Sequence, residues 1–426
     1  MLIRNTSIWC LMALCGVLLG VQGAHADNLR CLACHSAPSF RKTTGGVHAP
    51  LYVDADQLAA SVHSSKDCTD CHADLRNQRF PHKRQADPVQ CVRCHHNGNV
   101  VGSPVSYHLD KYADSVHGRA ARRNDPDAPR CKDCHGSHAI RPAEDARSSV
   151  SRFNVPSTCG RCHFDPLFAK RRHLYGVAEY RNSIHAKVLG QHGPETAAVC
   201  TDCHGVHDIE SPSDLGSRTS RLQVPKTCGR CHKKIYEGYR KSIHGRAVAK
   251  GVKDAPVCTN CHGEHGIVKP TAPSSSVYPI HVAATCSKCH GNVRIQRKYG
   301  LPADRMMSYL ESYHGVAGKY GEVSVANCAT CHGAHDIRPS SDPESAVNKK
   351  NLPKTCGACH PAAGKNFAKG SIHLFPSKHK DVATYWVRMA YMLFVIVLIG
   401  SFCVCILLDL LARQRKRPRR PGTGDH

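Results

Sequence analysis

Twenty-two of the 26 cysteines in this 426-residue chain stand in eleven copies of Cys-x-x-Cys-His. The thiol pairs are Cys31 and Cys34, Cys68 and Cys71, Cys91 and Cys94, Cys131 and Cys134, Cys159 and Cys162, and Cys200 and Cys203. They continue with Cys228 and Cys231, Cys258 and Cys261, Cys286 and Cys289, Cys328 and Cys331, and Cys356 and Cys359. The histidines that close the motifs are His35, His72, His95, His135, His163, His204, His232, His262, His290, His332 and His360. Residues three and four apart share one side of a helical turn, so two thiols and an imidazole converge on one small volume. This is how a chain holds c-type haem, with thioethers to the two vinyl groups and an imidazole on the iron. Zinc ribbons and disulfide frameworks also pair cysteines, but neither needs a histidine after every second one. The expected cofactor is haem c with its iron, eleven copies held covalently.

Each iron has a sixth position, and the remaining histidines recur in two patterns that could fill it. Ser-x-His supplies His63, His117, His185, His244, His314 and His373. Cys-His-Gly-x-His supplies His138, His207, His265 and His335. His82, in the Cys68 unit that lacks the Gly-x-His extension, makes an eleventh candidate, with His96 as its rival. His48, His108, His173, His192, His281, His379 and His426 fall outside both patterns and are read as non-ligands. Met306 and Met307 are the only methionines between the two hydrophobic ends. Methionine ligation raises a haem's potential, so a nearly all-histidine set implies low-potential centres.

The elements that must position these groups are repeated. One motif type follows threonine and continues with glycine, as in Thr158-Cys159-Gly160, Thr227-Cys228-Gly229 and Thr355-Cys356-Gly357; Thr285-Cys286-Ser287 is a variant. We term these type A. Type B carries the Gly-x-His extension and begins at Cys131, Cys200, Cys258 and Cys328. The step from each B to the next A is 28 residues in all four cases, whereas the A-to-B steps are 41, 30 and 42. A constant step implies a rigid local unit, and a variable one implies a surface loop. Aromatics make up only 6 % of the chain, too few for a large side-chain core. The macrocycles should form the core. The expected fold is mostly α with much irregular structure, elongated, built from repeated two-haem units, with one C-terminal transmembrane helix.

The ends set the compartment. Residues 1–26 read as a signal peptide, with Ala24-His25-Ala26 as the cleavage signal, and Cys10 and Cys15 would leave with it. Residues 27–130 hold haems 1–3 and residues 131–384 the repeated region with haems 4–11. Met389 to Leu408 carries no charge, enough to span a bilayer, and residues 385–411 are assigned to that helix, with Cys403 and Cys405 as packing residues. The basic tail, residues 412–426, is then cytoplasmic by the positive-inside rule. The chain is expected in the inner, cytoplasmic membrane as a single-pass protein, its haem domain in the periplasm. The formal charge of +25 is offset by two propionates on every haem, and export argues against a nucleic-acid partner.

The Thr-Cys-Gly-x-Cys-His, Ser-Ile-His and Cys-His-Gly-x-His elements resemble those of large periplasmic multihaem cytochromes c from anaerobically respiring bacteria, over residues 31 to 373. His95-His96 is similar to the tandem histidines of tetrahaem cytochromes c3. The resemblance implies closely stacked bis-histidine haems that pass electrons, sometimes with a membrane partner. Two departures separate the chain from named groups. Membrane-anchored quinol dehydrogenases of this kind keep an uncleaved N-terminal anchor, and pentahaem nitrite reductases replace one proximal histidine by lysine. The implied function is a low-potential electron conduit between the membrane quinone pool and periplasmic or extracellular redox proteins. Its partners would be a quinone-reactive membrane protein, cytochrome b being one such type, and periplasmic or outer-membrane redox proteins. The alternative is a reductase of a small nitrogen or sulfur oxyanion at one open-coordinated haem. Eleven second-histidine candidates for eleven irons favour the carrier over the enzyme, and no catalytic residue is assigned.

Overall fold

The computed structural model describes residues 26–44, 47–82, 85–96, 98–99, 107–193, 195–364, 366–367, 372–373 and 382–415. The expected signal peptide up to His25, the tail beyond Arg415, His379 and His426 lie outside them. The described chain is mostly helical with much irregular structure. Among the described residues the one sheet is a hairpin, Arg41–Thr44 against Val47–Pro50, with Thr44 opposite Val47. Two compact units divide the chain: Met1–Glu237 with Pro256–Lys269, and Gly238–Ala255 with Pro270–His426.

Type B motifs are short helices, Cys131–His135, Cys200–His204, Cys258–His262 and Cys328–His332. Their starts are set by the residue just before the second cysteine. Asp133, Asp202, Asn260 and Thr330 each accept the backbone N–H of the residue before the first cysteine, at 2.7–3.2 Å. That satisfies a donor which the first turn would otherwise orphan. Gly136, Gly205, Gly263 and Gly333 end these helices at φ of +79°, +88°, +80° and +80°. Only glycine takes that conformation without strain, and it turns the chain so that the histidine two residues on leaves the helix.

Type A helices, among them Val155–His163 and Val282–His290, are held from behind. The hydroxyls of Thr158, Thr227, Thr285 and Thr355 donate to the carbonyls of Ser149, Arg218, Ser276 and Ala346 at 2.6–2.7 Å. Before each threonine the chain descends a staircase of turns. In one copy the N–H groups of Asp145, Ser148, Ser151 and Asn154 each donate to the carbonyl three residues back. This period-three ladder has no slack, which explains the invariant 28-residue step.

Ser-x-His is a helix start. Ser115, Ser183, Ser242 and Ser312 cap helices Val116–Arg122, Ile184–His192, Ile243–Ala249 and Tyr313–Lys319 by accepting an N–H three residues on. Ser115, Ser183 and Ser242 are, with Val199, the largest fully buried side chains. Apolar packing is local, as in the cluster of Val155, Leu189, Ala197 and Val199. Burying one such leucine contributes ~1.5–3 kcal/mol.

The last helix, Val382–Arg415, has 34 residues, and its apolar stretch is exposed along its length. At 1.5 Å per residue it runs about 50 Å, more than the ~30 Å of a bilayer's hydrocarbon. It is consistent with a single membrane span. Arg388 in its first turns pairs with Glu311 at 3.0 Å.

Candidate functional site

The imidazoles meet in twos. His82 lies opposite His35, His138 opposite His72, and His63 opposite His95, with ring centroids 6.3, 6.4 and 6.0 Å apart. His207 faces His135 at 5.9 Å, His117 faces His163 at 6.1 Å, and His265 faces His204 at 6.0 Å. His185 faces His232 at 6.4 Å and His244 faces His290 at 6.2 Å. His373 faces His332, and His314 faces His360, both at 6.2 Å. Every pair joins a motif histidine to a residue of the second set. His262 ends the helix Cys258–His262, and His335 follows Gly333, half-buried. Among the described residues no cluster of three or more histidine, cysteine or acidic side chains is arranged to hold a metal ion.

The separations have a chemical meaning. A metal–imidazole bond is about 2 Å long. Two such bonds plus two ring radii place the centroids of axial imidazoles on one metal about 6 Å apart. All ten pairs lie at that spacing, so the donor set fits a hexacoordinate iron. Protonation fits as well. Burial pulls the imidazoles of His63, His135, His138, His163, His185, His204, His290, His332, His335 and His373 below their ordinary range. His117 and His244 are pulled down to about 4 for the same reason. A neutral imidazole keeps the lone pair that a metal needs. The Nδ1 of His35 lies 2.7 Å from the Leu51 carbonyl and that of His373 3.0 Å from the Ser308 hydroxyl. Such outer contacts set the ring orientation and leave Nε2 for a metal.

The pairing follows a rule that motif counting misses. Ser-x-His residues face the second motif after them, passing over an intervening one: His117 faces His163 of the Cys159 motif and His185 faces His232 of the Cys228 motif. Gly-x-His residues reach backwards past one motif, so His207 faces His135 of the Cys131 helix, His265 faces His204 of the Cys200 helix and His138 faces His72. His373 breaks its sequence class. It ends a Ser-x-His, yet it faces a B histidine, His332, because no later repeat supplies a Gly-x-His. Ring tilt divides along similar lines. The five Ser-x-His rings at His63, His117, His185, His244 and His314 lie 52–65° from their partners. The other five pairs lie at 4–34°.

Successive motifs touch. The thiols of Cys31 and Cys68, Cys91 and Cys131, Cys159 and Cys200, and Cys228 and Cys258 lie side by side in the first unit. Cys286 and Cys328 lie side by side in the second. Between these links, Cys71 lies beside Cys91, Cys134 beside Cys159, Cys203 beside Cys228, and Cys331 beside Cys356. Within each unit the motif order in sequence is thus an order in space.

Several positioning residues have no role in the motif pattern. Tyr112, Tyr180 and Tyr309 stand three residues before Ser-x-His, and their hydroxyls donate to the carbonyl two residues before the next B cysteine. Their recurrence at one offset is the sequence signal for them. Arg161 and Arg230, inside A motifs, donate to the carbonyls of Asp133 and Asp202 in the preceding B motif. His281, expected as a non-ligand, places its Nδ1 2.8 Å from the Ser275 carbonyl.

A family model described as a doubled CXXCH motif matches residues 192–236. That stretch holds the Cys200 and Cys228 motifs and the 28-residue step between them. The match supports a multihaem c-type cytochrome and points to covalent haem c. No curated protein and no solved structure matches the chain.

Proposed function

We propose that this chain is an eleven-haem electron conduit, fixed by residues 382–415 in a cytoplasmic membrane with its haem region in the periplasm. It links the quinone pool, through a quinone-reactive membrane partner, to periplasmic or extracellular redox proteins. The observation that carries this reading is the pairing of ten motif histidines with a second imidazole about 6 Å away. Haem, when bound, supplies a one-electron iron couple. The two cysteines of each motif would tether it, and the motif histidine and the histidine facing it would hold its iron.

Two axial imidazoles close an iron to substrates and keep its potential low, which suits a carrier. Burial excludes water from most of these rings, and the touching thiols of successive motifs support short steps between neighbouring haems. A reductase would need one motif histidine with no second imidazole opposite it.

The test is a count. Pyridine haemochrome absorbance of the membrane-purified protein, set against intact mass, should give eleven haems per chain; nine or fewer in matured protein would contradict the assignment. Co-purification should bring down a polytopic membrane protein that restores haem reduction by quinol.

A further inference from the structure

The last repeat departs from its sisters around one cavity. In the Cys159–Cys200 copy, Leu189 fills the space between the A helix and the segment leading to the B motif, packed with Val155, Ala197 and Val199. Val248, at the same offset from its Ser-x-His, is likewise buried. In the Cys286–Cys328 copy that position is Gly318, and Asn327 stands where Val199 and Val257 stand. A cavity of about 270 Å³ opens there, with Ile280, Ala284, Leu310 and Val325 among its walls. The sister repeat fills the equivalent space with protein, so the cavity is not haem volume. A third change widens it. Gly160 and Gly229 are covered by the rings of Phe164 and Tyr236, whereas their counterpart, Ser287, lines the cavity and Gly291 replaces Phe164.

The surface beside the cavity changes too. Positions that carry Arg119, Lys187 and Arg246 in the sister repeats hold Val316, and those that carry Arg123, Gln191 and Lys250 hold Tyr320. Leu310 replaces Arg181 and Arg240. These three apolar side chains are 42 %, 83 % and 42 % exposed for Val316, Tyr320 and Leu310. Glu311, next to Leu310, holds Arg388 at the outer end of the membrane-type helix. Charge has been exchanged for apolar surface where the chain meets its anchor.

We infer that this cavity binds the headgroup of a quinone: a flat apolar ring with oxygens at its edges. The inference rests on the membrane electron-conduit reading and gives the chain itself a quinone-contacting site. Apolar walls suit the ring. Tyr309 gives its proton to the Ala326 carbonyl, which leaves its oxygen as an acceptor, and Lys319 offers a donor for a carbonyl. Ser287 lies inside the Cys286 motif and Asn327 directly precedes Cys328, so a bound ring is flanked by two haem attachment sites. An apolar mouth at the anchor lets a lipid-soluble molecule arrive without crossing water.

Gly318→Leu and Gly318→Val restore the sister residues. A β-carbon at Gly318 meets Val325 at 3.6 Å and the Tyr309 hydroxyl at 4.0 Å, ordinary contacts that leave room for either side chain to enter the cavity. Equilibrium dialysis of 2-methyl-1,4-naphthoquinone against the full-length holoprotein in detergent should show one saturable site. Both variants should weaken it at least tenfold, while haem content and the dithionite-reduced spectrum stay unchanged. Non-saturable uptake by the wild type, or equal binding by the variants, would overturn the site. A low haem count or a failure of dithionite to reduce the haems would instead undo the conduit reading, with the dialysis result standing alone.

Discussion

The backbone N–H of Val116 donates to the carbonyl of Ile209 at 2.8 Å, which joins the two kinds of second histidine. Val116 sits inside Ser115-Val116-His117, and Ile209 lies two residues after the Gly-x-His residue His207. The same bond recurs from Val62 to Ile140, Ile184 to Ile267 and Ile243 to Ile337, at 2.7–2.9 Å. In the first three, each bond holds a ring that faces one motif against a ring that faces another. The repeats are therefore interlocked through their Ser-x-His and Gly-x-His segments rather than stacked as closed modules.

That bond can be removed alone. Val116 is the first residue of its helix, where proline is tolerated, and Ser115 has the extended backbone that precedes proline readily. Val116→Pro should keep the helix but leave the Ile209 carbonyl unpaired, a loss of ~1–3 kcal/mol. Denaturant unfolding of the holoprotein should show a lower midpoint at an unchanged haem count. Proline at Lys187, inside its helix, should do far more damage.

Replacing His207 by methionine should leave all haems attached, because attachment uses the Cys131 motif and His135. The His135 haem would then gain a thioether ligand, and one midpoint potential should rise. Spectroelectrochemistry showing an unshifted set of potentials would remove His207 from the ligand assignment.

Ring tilt makes a prediction of its own. In low-spin ferric iron, parallel imidazoles split the two π-bonding d orbitals well apart, whereas strongly tilted rings leave them close in energy. The oxidised protein should therefore give two families of electron paramagnetic resonance signals. Strongly anisotropic signals should come from haems served by Ser-x-His at 52–65°, and rhombic ones from haems whose rings lie at 4–34°. A single homogeneous family would contradict these ring orientations.

Much of this was legible in sequence, and the rest was hidden for physical reasons. The motif helices, the 28-residue units and the apolar C-terminal helix follow from local spacing. Which second histidine faces which motif does not, because Gly-x-His reaches back past an intervening A motif to the previous B motif. His373 shows the limit plainly: its local motif is Ser-x-His, but its position after the last repeat gives it a B partner. Nothing local to Gly318 sets it apart from another helix glycine; its meaning lies in the burial of its sisters Leu189 and Val248.

Removal of the anchor should separate membrane attachment from haem attachment. Truncation after Asp381 keeps every motif and every second histidine through His373. The product should fractionate as a soluble protein with the full-length haem count and accept electrons from dithionite, yet lose reduction by membrane quinol. Equal quinol reduction in detergent would make the helix a plain tether.

The central claim is that each iron is closed on both faces by histidine, and carbon monoxide tests it directly. Added to the dithionite-reduced holoprotein at neutral pH, it should leave the absorption spectrum unchanged, and near-infrared magnetic circular dichroism of the oxidised form should show bis-histidine, low-spin haem alone. A carbon monoxide adduct amounting to one haem per chain, with a matching high-spin signal, would reveal an open iron and contradict the conduit in favour of a reductase.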